Sequence, residues 1–139
     1  NNAVDVENSR AYKFVKKIKK RKKIIQSKLK KYKNENGSIV MFGAGHLSVA
    51  FISIMGVENM IDYVIDDNPN KKGMLMPIGN IEILSSAYLE SSRKVNLCLL
   101  GLNPQNQPKV IANHTVFVQN GGIFASIFPG TALDLENII

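Results

Sequence analysis

The sequence predicts an α/β protein, a Rossmann-like three-layer fold with a short parallel sheet, preceded by a long basic N-terminal helix. Three observations carry this. Ser38 to Pro69 read in order as a strand, a glycine turn, a helix and a second strand. Apolar strand-like runs then alternate with helical segments to the end of the chain. The cations crowd into the first 37 residues, where thirteen Lys or Arg face three acids, whereas residues 38–139 hold five cations and eight acids. A mildly acidic domain, 38–139, thus follows a basic arm, 1–37.

At 139 residues the chain has room for one cored domain and not for two. Its single cysteine, Cys98, excludes an intrachain disulfide, and the apolar run NLCLLGL around it predicts a buried thiol and a cytoplasmic setting. The chain opens on Asn1-Asn2 with no methionine, which predicts a fragment of a longer protein.

In the arm, Ala11, Val15, Ile18, Ile25, Leu29 and Tyr32 recur at spacings of three and four, with Lys22 filling the one gap. That is one apolar stripe on a helix of about 25 residues, roughly 37 Å long. Asn8 or Ser9 is placed to cap its start, and Asn34-Glu35-Asn36-Gly37 ends it. A basic amphipathic helix suits nucleic acid, an anionic membrane surface, or simple packing on the domain or a neighbour. The arm lacks the interleaved aromatics of a base-stacking surface, so packing is the reading preferred here.

From Asn36 to Val57 no residue is formally charged, long enough in principle for a membrane span. Gly43-Ala44-Gly45-His46 interrupts it, with the strand formers Ile39 to Phe42 before and Leu47, Ala50, Phe51, Ile54 and Met55 at helical spacing after. A buried strand and a buried helix explain the same apolarity, and no span is predicted. The second strand is Ile61 to Ile65, stopped by Asp66-Asp67-Asn68-Pro69 and a loop through Gly73. Ile81 to Ile83 is a short extended piece, and Ser85 to Ser91 a short helix with Ser85 as its cap. Val95 to Leu102 is an internal strand. Pro104 opens a helix through Ala112. Val116 to Val118 is read as the approach to a last strand, Ile123 to Phe128. Parallel sheets of this kind bind ligands at the carboxyl ends of their strands. That edge collects Gly43, Gly45, His46, Asp66, Asp67, Asn68, Gly101, Asn103 and Pro129.

Gly43-Ala44-Gly45 after a strand begins a dinucleotide fingerprint, in which backbone amides approach a phosphate at the helix start. Asp66, 23 residues beyond Gly43, stands where a ribose-binding acid would. Against a nicotinamide or flavin site, the third glycine position is Ser48, which predicts a relaxed helix–strand contact, and the sheet has only four or five strands. His46 is placed either to contact a phosphate or sugar hydroxyl or to cap the turn. His114 falls in a loop with no partner in sequence. Two lone histidines and one cysteine supply no metal-ligand spacing, no nucleophile elbow can be assembled, and Asp66 and Asp67 are adjacent residues pointing apart. The chain shows no complete catalytic centre.

The order FGAGHLSVAF, IDYVIDDNPNKKGMLMP, CLLGLNP and GGIFASIFP resembles the carboxyl-terminal domain of sugar C-methyltransferases, over roughly Asn8 to Pro129. Asp66-Asp67-Asn68-Pro69 with Lys71 or Lys72, Gly73 and Pro77 is the most specific part. Pro77-Ile78 departs from the family's usual Pro-Gly and leaves the local turn open. The resemblance implies an enzyme acting on nucleotide-linked deoxysugars with S-adenosylmethionine. It implies a zinc-binding region and a central methyltransferase domain upstream, which would hold zinc and cofactor, and no cofactor is expected on this domain. This domain would help hold the nucleotide-linked sugar through Gly43, Gly45, His46, Asp66, Asp67, Asn68 and Lys71. A similar turn also occurs in sugar acyltransferases. The alternatives are an NAD(P)- or nucleotide-sugar-binding module of another enzyme, or a non-catalytic interaction or nucleic-acid-binding module using the arm. The expected partners are thus the nucleotide-linked sugar and the upstream domain, with self-association open.

Overall fold

A computed structural model describes residues 2–91 and 95–139. Five parallel strands form one sheet in the order β3-β2-β1-β4-β5: β1 Ser38–Phe42, β2 Tyr63–Ile65, β3 Ile83–Leu84, β4 Val95–Leu100 and β5 Ile123–Ser126. Every pairing is parallel, with Phe42 beside Ile65 on one side and beside Leu100 on the other. The chain builds outward from β1 in one direction, then returns to β1's other side with β4. That reversal opens a crevice beyond the carboxyl ends of β1 and β4.

Strand alternation divides the core. Ile39, Met41, Val64, Leu97, Leu99 and Ala125 face one layer, formed by α1 (Asn2–Asn36), α2 (His46–Met55) and α6 (Leu135–Ile138). Val40, Ile65, Cys98, Leu100 and Phe124 face the other, formed by α3 (Ala87–Ser91), α4 (Gln107–Asn113) and α5 (Thr115–Gln119). Burial on both faces accounts for the nearly unbroken apolar runs of β1 and β4.

The basic helix begins at Asn2 rather than at Asn8 or Ser9, since no glycine or proline interrupts residues 2–36 and Asp5 suits the positive end of the dipole. Asn1 of the arm lies outside the described residues. The carboxyl half of α1 belongs to the core: Ile25 and Leu29 are fully buried. Gln26 Nε2 donates to Met55 O at 2.8 Å and Arg21 to Ile127 O at 2.8 Å. Residues 2–17 are exposed throughout.

Other boundaries shift for local reasons. A 3₁₀ turn at Glu58–Met60 delays β2 to Tyr63. The short extended piece starts as a strand two residues later, at Ile83–Leu84, while Glu82 bridges antiparallel to Leu75. Gly79 and Asn80 both take positive φ, closing a hairpin in which Met76 N–H donates to Ile81 O at 2.7 Å. The turn glycine thus sits two residues beyond Pro77. Strand β4 ends at Leu100, and Pro104–Asn106 is a 3₁₀ turn leading into α4. Val116 to Val118 is helical, a short turn that buries Phe117 against Phe124. Strand β5 stops at Ser126, where Ser126 N–H turns to Leu133 O. The sequence reading had no counterpart for α6, which Asp134 caps by accepting the Glu136 N–H at 2.9 Å. Among the described residues, no helix is long and apolar enough to cross a membrane.

Candidate functional site

The glycine turn sits where β1 hands over to α2. Gly43 has φ +105, a left-handed conformation costly for other residues, and a Cβ there would stand 3.1 Å from Gly101 O. The close approach therefore lies between the two loops that leave β1 and β4. Ser48 contributes to it. Its side chain is fully buried, its Oγ donates to Gly101 O at 3.3 Å, and it lies 2.0 Å from where a Gly101 Cβ would be. The expected relaxed contact is not found, because the space a third glycine would have opened on α2 is opened instead by Gly101.

Asp66 ends β2 and turns back on the glycine loop. One carboxylate oxygen accepts the Ala44 N–H at 3.0 Å and the other the Asn68 N–H at 2.9 Å. Lys71 donates to Ala44 O at 3.2 Å. Ala44 is thus held by an anion on its N–H and a cation on its C=O. Gly43 N–H is fixed by Ile65 O at 2.8 Å.

Around this loop lies a cleft of about 210 Å³. Residues Gly43 to Leu47 form one wall, Gly101, Leu102 and Asn103 the opposite one, and Asp66 and Lys71 close the side. The first residues of α2, His46 and Leu47, line it, and N–H groups at a helix start lack carbonyl partners one turn earlier. A wider hollow, about 640 Å³, runs along the first turns of α1, where one helix lines it and nothing encloses a ligand.

Of the residues expected at the site, Gly43, Gly45, His46, Asp66 and Lys71 meet at the cleft, and His46 is exposed there. Asp67 and Asn68 line no part of it. Asp67 accepts the Ser86 N–H at 2.9 Å, taking the capping role expected of Ser85. Burial pushes its carboxyl up, but the Ser86 hydrogen bonds and the charges of Lys72 and His114 outweigh that and hold it below the usual range. Asn68 closes its own turn by accepting the Asn70 N–H at 3.0 Å. Gly101 and Asn103 belonged to the sheet edge by sequence but were not singled out, and Ala44 and Leu102 carry no chemical signal.

His114 is not a loop residue without a partner. It is buried between α4 and α5, 3.1 Å from a Glu90 carboxylate oxygen, with its ring tilted against Phe42. No group of three or more His, Cys, Asp or Glu side chains suited to a metal occurs among the described residues. Cys98 is fully buried and desolvation pushes its thiol well above the ordinary value, so it offers no nucleophile.

Comparison with known proteins adds the family. A family model described as the C-methyltransferase C-terminal domain matches residues 2–129. No curated protein matches the chain.

Proposed function

Because the chain belongs to the C-methyltransferase C-terminal domain family, we propose that it is the part of a sugar C-methyltransferase that helps hold the nucleotide-linked sugar substrate. The observation that carries this is the cleft at the strand-order reversal, where Gly45, Lys71 and Asn103 converge on the start of α2. Backbone N–H groups and a lysine suit a phosphate, and Asn103 and His46 suit sugar hydroxyls. At about 210 Å³ the cleft is smaller than the roughly 300–1,000 Å³ of sites that enclose a whole ligand. It would grip the phosphate end and leave the sugar reaching outward toward the methyltransferase domain.

Methyl transfer and S-adenosylmethionine are assigned to that other domain, and zinc to a further region, in keeping with the family resemblance; among the described residues no group of three or more His, Cys, Asp or Glu side chains is suited to a metal. The intended setting is cytoplasmic, where nucleotide-linked sugars and a reduced Cys98 coexist. The use of Asp66 weighs against the runner-up, an NAD-type module. Both its oxygens already accept backbone N–H groups, whereas a ribose-binding acid offers them to the ligand. Isothermal titration with nucleoside diphosphate sugars, S-adenosylmethionine and NAD tests the reading. Binding of the nucleotide-sugars alone supports it, whereas NAD binding in their place transfers the site to the runner-up.

A further inference from the structure

Behind the cleft's second wall lies a buried side-chain amide. Gln107, the first residue of α4, is 4% exposed. Its Nε2 donates to Leu102 O at 3.1 Å and to Ser126 Oγ at 2.9 Å, and the same hydroxyl accepts the Phe128 N–H at 3.1 Å. The amide thus ties the loop that leaves β4 to the end of β5.

The bond to Leu102 O fixes a direction. The described residues contain no cis peptide bond, and in a trans peptide the C=O and the following N–H point opposite ways. Ser126 lies two residues beyond Phe124 on β5, so it faces the layer of α3, α4 and α5, and Gln107 meets it there. The Leu102 C=O therefore points into that layer, and the Asn103 N–H points out of it, to the side of α2 and the glycine loop. Pro104 keeps Asn103 extended, at φ −51 and ψ 134. On the other wall, Lys71 draws the Ala44 C=O toward β2, which turns the Gly45 N–H away from β2 and toward the loop after β4. Neither N–H has a hydrogen-bond partner among the described residues.

We propose that Gln107 is a positioning residue for the anion this cleft takes, turning the Asn103 N–H inward so that a phosphate is held between it and the Gly45 N–H. Resting on the nucleotide-linked sugar reading of the cleft, this gives the diphosphate a donor on each wall. Packing alone accounts for Gln107 less well. Val110 and Ile111 of the same helix are only partly buried against the core, while the residue that α4 does bury is a glutamine, at a desolvation cost that an apolar side chain would avoid.

Isothermal titration of the whole chain with inorganic, thymidine and uridine diphosphate, followed also in amide NMR spectra, tests the proposal. The Gly45 and Asn103 signals should move together on binding. Gln107→Leu removes the donor at similar volume and should weaken binding about tenfold or more, with Asn103 no longer responding while Gly45 still does. A Gln107 of purely structural importance would lower Tm and leave the Asn103 response intact. Asn103→Pro deletes the N–H itself at a φ that proline adopts, and keeps the test decisive where Gln107→Leu folds poorly. It should weaken binding as much, and Asn103→Ala, which keeps the N–H, far less. Native affinity in both Gln107→Leu and Asn103→Pro overturns the proposal, as does a diphosphate that moves Gly45 and leaves Asn103 still; the nucleotide-sugar reading survives either result. Failure of every diphosphate to move the signals of Gly43 to Leu47 overturns that reading and the positioning role with it.

Discussion

Asp66 and Lys71 grip the same residue from opposite sides, the carboxylate on the Ala44 N–H at 3.0 Å and the ammonium on the Ala44 C=O at 3.2 Å. Their exchangeability differs. Removing Asp66 strands two N–H donors, those of Ala44 and Asn68, and with them the shape of the glycine loop. Lys71 gives up only a single bond to a carbonyl that water can reach. Asp66→Ala is expected to lower stability by about 1–3 kcal/mol in urea unfolding, and Lys71→Ala by less than about 1 kcal/mol. Lys71→Ala should nevertheless weaken nucleotide-sugar binding by about tenfold, because an anion loses its charge partner. Equal losses of stability in the two variants would contradict this division.

The fit of Ser48 against Gly101 predicts a specific rescue. A methyl group at Gly101 would meet Ser48 Oγ at 2.0 Å, with Met41 Sδ at 3.1 Å beside it. Both neighbours are fully buried, so neither can swing into solvent. Gly101→Ala should cost about 1–3 kcal/mol as overpacking. Adding Ser48→Gly should recover much of that by restoring a third glycine on α2, a recovery readable as a raised Tm in the double variant. A double variant less stable than Gly101→Ala would mean that the Ser48 hydrogen bond matters more than the clash.

The strands that could be read directly were those buried on both faces. Ile39 to Phe42 is an unbroken apolar run and Val95 to Leu100 is broken only by Asn96, and their order relative to Gly43 and Asp66 makes the sheet and its candidate edge legible. The misread pieces are short and decided by tertiary contacts. Val116 to Val118 has strand-forming side chains, yet it is helical because Phe117 must reach Phe124. Within the site, residue type revealed the glycines, Asp66 and Lys71. It did not reveal that Asp67 points to Ser86 and away from the cleft, because adjacent carboxylates at a strand end look alike until α3 is in place. Nor did the stripe of α1 show where support stops, since its spacing is the same on both sides of Ile18.

Asp62 links the arm to the sheet and should impose a pH dependence. Its carboxylate accepts from Lys33 Nζ at 2.7 and 2.8 Å, Ser38 Oγ at 2.8 Å and Ile39 N–H at 2.9 Å. Burial pushes its pKa up, but the hydrogen bonds from Lys33, Ile39 and Ser38, with the Lys33 charge, outweigh that and lower it. A carboxyl lowered on folding contributes stability that is present above its unfolded value, about 4, and is lost as pH falls through the folded one. Stability should therefore decline below about pH 4, and Asp62→Asn should flatten part of that decline while lowering stability at neutral pH. Because the pair is about one-third exposed, solvent screening keeps its contribution modest and salt-sensitive. An Asp62→Asn variant with an unchanged acid limb would refute the assignment.

The two halves of α1 should respond oppositely to the same kind of truncation. Leu29 is fully buried and packs in the same core cluster as Ile39, Ile52 and Leu135. Leu29→Ala removes this side chain from a closed interior, and the cavity adds to the lost transfer energy, for an expected cost of about 2–5 kcal/mol. Val15 occupies the equivalent position two heptads earlier, yet it is 48% exposed. Val15→Ala takes little apolar area out of a buried setting and exchanges a β-branched residue for a better helix former. Its expected effect on stability is within about 0.5 kcal/mol. The comparison is made by urea unfolding of both variants under the same conditions. A cost at Val15 approaching that at Leu29 would mean that the amino half of the helix rests on the domain after all. Near-neutrality at both would mean that the helix is an appendage, and that the core of 38–139 closes without it.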